Sequence, residues 1–159
     1  MRCLGLCKNG SNQYLILMNA LPGTYAFLLE SSINKPIQIG RWREIELHCG
    51  YYIYIGSALG PGGVRARVLR HLRLEKANHW HIDYLRQHCH ALGAWYRYGP
   101  ERLEHEWAAS LERSGNYRAI KGFGCSDCRC DSHLFYTQIR NDVEPYLKES
   151  CQVVYWHKC

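Results

Sequence analysis

The stretch GYYIYIGSALGPGGVRARVLRHLR, residues 50 to 73, sets three tyrosines against four arginines and a histidine across a glycine-broken loop. Arg67 and His71 are four residues apart, so on a helix they share a face. Arg70 flanks them, and all three are expected to lie away from an apolar stripe of Val64, Val68, Leu69 and Leu72. Guanidinium forks beside a phenol and an imidazole suit a phosphate group. Arginine holds phosphoryl oxygens and stabilises charge that grows in the transition state. A phenol such as Tyr54, or an imidazole, can take a proton from attacking water. Phosphodiester hydrolysis usually also needs a divalent metal.

The stretch holds no carboxylate to carry that metal. Residues 101 to 113 form a helical pattern in which Glu104, Ala108 and Leu111 share the inner arc, with Leu103 and Trp107 at helical spacing. Glu106 falls on the opposite side. A carboxylate on a buried face requires a partner. Two readings stand: a buried Glu–Arg pair, or a ligand for a hard cation such as Mg²⁺ or Mn²⁺.

The elements that position these groups are legible from the same periodicities. Pro22-Gly23 breaks the chain, and Thr24 to Glu30 alternates as a strand with Tyr25, Phe27 and Leu29 on one face. Ile37 to Ile39 makes a short extra strand. Tyr51 to Gly56 follows, with Tyr52 and Tyr54 on one side and Tyr51, Ile53 and Ile55 on the other. Gly60-Pro61-Gly62-Gly63 must be a loop. Val64 to Leu74 reads as a helix, Asn78 caps a second from His79 to His88, and Ala91 to Tyr98 is a third main strand. The helix at 101 to 113 comes after Pro100, and short mixed elements complete the chain. These give an α/β fold with a small three-stranded antiparallel central sheet flanked by helices.

At 159 residues, with 21% charged and 47% hydrophobic residues, the chain is expected to form one globular domain rather than a disordered segment. A formal charge of +6 is concentrated in Arg41, Arg43, Arg65, Arg67, Arg70, Arg73 and Lys76, which suits a polyanionic partner as well as an ordinary solvated face. No apolar run reaches membrane-spanning length, no export signal is evident, and nothing marks an obligate protein partner. A cytoplasmic protein is the expectation, with its nine cysteines as free thiols or metal ligands rather than a disulfide framework. Residues 1 to 17 read as an N-terminal extension, with Met18 an alternative start to a domain spanning 18 to 159.

Gly23-Thr24-Tyr25, then Tyr54-Ile55-Gly56, then an arginine with a histidine four residues on, then a helical glutamate, resembles the GIY-YIG nuclease superfamily. The phrases GSALGPGGVRARVLRHLR, NHWHIDYLR and GFGCSDCRCDSHLFY are similar to its Uri-like stand-alone branch. The resemblance spans about residues 22 to 137. It implies a metal-dependent endonuclease that cuts phosphodiester bonds of DNA, single-stranded or of particular structure. In it Tyr54 is the general base or its relay, and Tyr25 orders water or phosphate. Arg67, with His71 at the family spacing, is the motif arginine, and Glu104 is the ligand for Mg²⁺ or Mn²⁺. Thr24 stands where the family name has isoleucine. The loop before Arg67 is longer than in many members, which makes Arg65 an alternative for its role, but Arg67 stands first because only it has a histidine four residues later.

Further contacts to nucleic acid are expected from Arg65, Arg70, Arg73, Lys76, His79, Trp80 and His81, with Trp80 as a stacking surface or simply packed on the sheet. Cys128, Cys130 and His133 offer soft donors for zinc, completed by His79 or His81, although the spacing differs from familiar zinc frameworks. Buried thiols and a hydrogen-bonded histidine are the commoner arrangement. Gly122, Gly124, Ser126 and Asp127 could border the cleft. Two other functions fit the same residues: a nucleic-acid-binding module without turnover, in which Glu104 pairs with an arginine, and a zinc- or thiol-based regulatory protein.

Overall fold

The computed structural model describes residues 18–126, 128–147 and 151–156. The extension at 1 to 17, with Cys3 and Cys7, and also Asp127 and Cys159, lie outside the described residues. Met18 is buried against the core.

Among the described residues eight strands and three α-helices follow one another: β1 (Gly23–Ser31), β2 (Lys35–Ile39), β3 (Arg43–Leu47), β4 (Gly50–Ala58), α1 (Gly63–Leu72), α2 (His81–Arg86), β5 (His90–Tyr98), α3 (Glu104–Arg113), β6 (Arg118–Ala119), β7 (Leu134–Thr137) and β8 (Gln152–Tyr155). A 3₁₀ turn at Glu144–Tyr146 precedes β8. The main sheet is antiparallel with order β6-β7-β4-β1-β5-β8, and β2 and β3 form a separate hairpin. The expected three-stranded sheet is thus too small. The three long strands are its middle, and β7 with β6 on one side and β8 on the other extend it to six. The added strands have only two to four residues each, too short to register as a period.

β1 is buried on both faces, which its run of apolar residues explains. Tyr25, Phe27 and Leu29 join Tyr52, Val64, Val68 and Ile82 on the α1 and α2 side. Ala26 and Leu28 join Ile53, Ile55, Trp107, Ala108 and Leu111 on the α3 side. The alternation read for β1 and β4 therefore sorts their side chains correctly between two cores.

Helix boundaries differ from expectation in instructive ways. α1 enters through Gly63 at φ 54°, where an added Cβ would strike the Leu21 carbonyl that accepts the Val64 N–H. Only glycine allows this entry. α2 begins at His81, not His79, and Asn78 does not cap it. The carboxylate of Asp83 instead accepts the N–H groups of His79 and Trp80, capping the helix from within its first turn. α3 begins at Glu104 rather than Glu101, because Thr24 Oγ1 accepts the Leu103 N–H (3.2 Å) and pins the approach. Among the described residues no helix is long and apolar enough to cross a membrane.

Candidate active site

β1 and β4 run antiparallel with Tyr25 opposite Gly56 and Thr24 opposite Ser57. A Cβ at residue 56 would lie 2.5 Å from the Tyr25 hydroxyl, so the glycine is what lets that phenol lie across β4. Tyr25 is 1% exposed, and its hydroxyl is 2.7 Å from Nε2 of His71. Tyr54 stands beside them, its ring edge-on to His71 at 5.7 Å.

The expectation that His71 faces outward with Arg67 is corrected: His71 is fully buried between Tyr25, Phe27 and Tyr54. Burial, helped by the nearby Lys76, Arg67 and Arg70 charges, lowers its pKa to about 3, so the ring is neutral at ordinary pH. Burial pushes Tyr54 up to about 12, with Arg67 opposing, and Tyr25 well above the usual phenol value.

Arg67 lies one turn before His71 and does reach the cleft. Its guanidinium covers the Trp80 ring at 4.3 Å, and that of Arg70 covers it at 4.6 Å. Trp80 is half-buried, packs against the core and serves as a platform for arginines. Arg70 and Lys76, expected to meet a polyanion, both bind Asp83 instead, at 2.8 and 2.7 Å. Asp83 is completely buried; its burial alone would raise its pKa, yet hydrogen bonds from Lys76 and the Trp80 and His79 N–H groups lower it to about 2. Arg65, Arg73 and His79 are exposed and, unlike Arg67, do not line the cleft.

Glu104 opens α3 with its side chain on the inner arc, 7% exposed, as the helical pattern requires. Its Oε2 accepts a hydrogen bond from the Ser57 hydroxyl. Ser57 in turn is 3.4 Å from Thr24 Oγ1. Among the described residues no arginine or lysine pairs with Glu104, and the nearest ion-pairing group is His105 Nε2, 3.6 Å from Oε1. Thr24 takes part in this arrangement through its hydroxyl. It holds Leu103 and adjoins Ser57, so it sets both ends of the Glu104 mount. The missed residues Thr24 and Ser57 could have been found by aligning the two tripeptides as antiparallel neighbours.

Tyr25, Tyr54, Arg67 and Glu104 line one cleft of about 230 Å³, with Ser57 and Arg102. A hard cation that keeps most of its waters needs only one or two carboxylates, and Glu104 with the Ser57 hydroxyl meets that need. His105, Gly124, Cys128 and His133 also line the cleft. The loop that carries Gly124, Cys128 and His133 leaves β6, buries Phe123 and returns to β7, whereas His105 belongs to α3. His81 does not join the thiols. It stacks on Trp42 at 4.7 Å, and its Nδ1 accepts the Gly124 N–H. The donor that meets Cys128, Cys130 and His133 is His105, with all four ligand atoms within 4.8 Å of one another. His105 lies more than twenty residues from the cysteines, and only its place beside Glu104 could have hinted at the meeting.

The family described as Domain of unknown function DUF123 matches residues 24–156, and the chain belongs to that family. No curated protein and no solved structure matches the chain.

Proposed function

We propose that this DUF123 chain is a divalent-metal-dependent endonuclease that hydrolyses a phosphodiester bond of DNA. One observation carries the reading. The Glu104 carboxylate faces the same cleft as Tyr54, Tyr25 and Arg67, and among the described residues no arginine or lysine pairs with it.

On this reading Arg67 receives the scissile phosphate through the edge of its guanidinium, oriented by the Trp80 face. Tyr54 stands where attacking water would lose its proton. Tyr25 orders the water or a phosphate oxygen, and buried His71 positions the Tyr25 hydroxyl without entering the cleft. Glu104, steadied by Ser57, is the ligand for Mg²⁺ or Mn²⁺, which when bound neutralises charge on the leaving oxygen. A binding module without turnover fits less well, since its Glu104 would be matched by an arginine.

The test is a panel of labelled single-stranded, duplex and flap oligonucleotides incubated with Mg²⁺, Mn²⁺ or chelator. Metal-dependent internal cleavage of at least one substrate, lost in Glu104→Ala, is the expected result. Binding without cleavage under every condition would leave the module reading in its place.

A further inference from the structure

The loop between β6 and β7 is well anchored at its base and poorly anchored at its tip. At the base, Ile120 N–H donates to Leu134 O, Gly122 N–H to Asp131 O, His133 N–H to Phe123 O, and Ile55 N–H to His133 O. Beyond Cys125 and before Asp131, the described residues make no backbone hydrogen bond to the rest of the chain. Yet the side chains of this tip are turned inward. Cys128 Sγ lies 3.0 Å from His133 Nε2, and Cys130 Sγ lies 2.9 Å from Nδ1 of His105 on α3. The two imidazoles face each other edge-on, with centroids 5.7 Å apart. His133 is buried, and its Nδ1 has no hydrogen-bond partner among the described residues.

Two thiols and two imidazoles converging from a loop and a helix are the donor set of a tetrahedral S₂N₂ site, which favours Zn²⁺ over harder cations. Zinc bonds of about 2.3 Å to sulfur and about 2.0–2.1 Å to nitrogen separate neighbouring ligand atoms by about 3.3–3.8 Å. The four atoms here already lie within 4.8 Å of one another, so closure requires small side-chain adjustments only. The arrangement also has an outer layer: the second nitrogen of His105 points at Glu104 Oε1, 3.6 Å away, as a metal-bound imidazole commonly points at a carboxylate.

We propose that His105, Cys128, Cys130 and His133 bind one zinc ion that clamps the loop tip to the start of α3. All four positions are filled by the protein, so the ion is a structural clamp with no open position for water. It restrains the residue next to Glu104 and with it the rim of the cleft. Binding releases the two thiol protons, leaving thiolates on the metal.

The full chain is purified from cells grown with zinc, dialysed against a weak chelator, and analysed for metal by mass spectrometry. One zinc per chain is expected in the unaltered protein and in Glu104→Gln. Cys128→Ser with Cys130→Ser, and His105→Ala alone, are each expected to fall below a fifth of that value. His105 is about half exposed, so its removal disturbs no core, and circular dichroism confirms that the variant is folded. Cobalt exchanged into the site should give the intense visible bands of a tetrahedral thiolate complex. Absence of stoichiometric zinc, iron with labile sulfide in its place, or full zinc retention in the double serine variant would overturn the proposal. Metal content is read without any cleavage assay, so failure of the endonuclease reading leaves this result intact, and the reverse holds.

Discussion

The two walls of the cleft are built on different principles. One wall, from β1, β4 and α1, is preassembled by packing. Tyr25 and His71 are buried, hydrogen-bonded to each other and surrounded by Phe27 and Tyr54. The other wall, from α3 and the β6–β7 loop, is made of polar and soft donors with few apolar contacts at the loop tip. The first wall should hold its shape in any condition that leaves the protein folded. The second should depend on what it binds. Shape can come from burial or from ligation; the first wall rests on burial, and the second would rest on the proposed zinc clamp.

The sharpest separation comes from removing one side chain on each wall. Tyr25→Ala empties a buried site and should cost about 3–5 kcal/mol of stability, read from urea denaturation. Glu104→Ala should cost about 1 kcal/mol or less in the same measurement. Its cleavage rate, however, should fall about a thousandfold, on the order of 4 kcal/mol of transition-state stabilisation. Equal losses of stability in the two variants would erase the distinction.

Arg67→Lys comes next. Lysine keeps the charge but loses the planar fork and the stack on Trp80, so cleavage should drop about a hundredfold with stability nearly unchanged. Retention of full activity would remove the phosphate clamp from this wall.

Titration sharpens the comparison more gently. The native pKa of His71, about 3, lies below its unfolded value of about 6.5. The unfolded chain therefore binds the proton more readily, and stability is present above pH 6.5 and is lost as the pH falls. Between pH 6.5 and 4.5 the loss should be about 2 kcal/mol, and His71→Phe should flatten that part of the profile. Cleavage should follow the opposite wall of the pH scale. Tyr54 deprotonates near pH 12, so the reactive fraction grows with pH from 7 to 9, with no inflection near 6.5 from His71. Ser57→Ala is the smallest change, about tenfold in rate, through a loosened Glu104.

The packed wall was the legible one. Period-two alternation sorted Tyr25 and Tyr54 to one face and Ile53 and Ile55 to the other, because burial on both faces constrains every position. Glu104 was found from the inner arc of a helix for the same reason. His71 was misplaced because an imidazole in a helical pattern reads as polar, whereas its phenol partner makes it a core residue. Arg70 and Lys76 read as part of a basic face because Asp83, more than six residues further on, pairs with them only once α2 docks. The ligand wall was half legible. Cys128, Cys130 and His133 are close in sequence, but His105 arrives by tertiary packing, which no local spacing encodes. The two-residue β6 and four-residue β7 were too brief to announce themselves.

The indole of Trp80 carries a directional consequence. The Arg67 guanidinium carbon lies 4.3 Å from the Trp80 ring centroid, so the indole covers one side of that group. On the proposed function, a phosphate would meet that guanidinium from a side that the indole leaves open. If the chain cuts a nucleic acid as proposed, the Trp80–Arg67 pair would act as a compass for the incoming backbone, limiting its heading before any bond is cut.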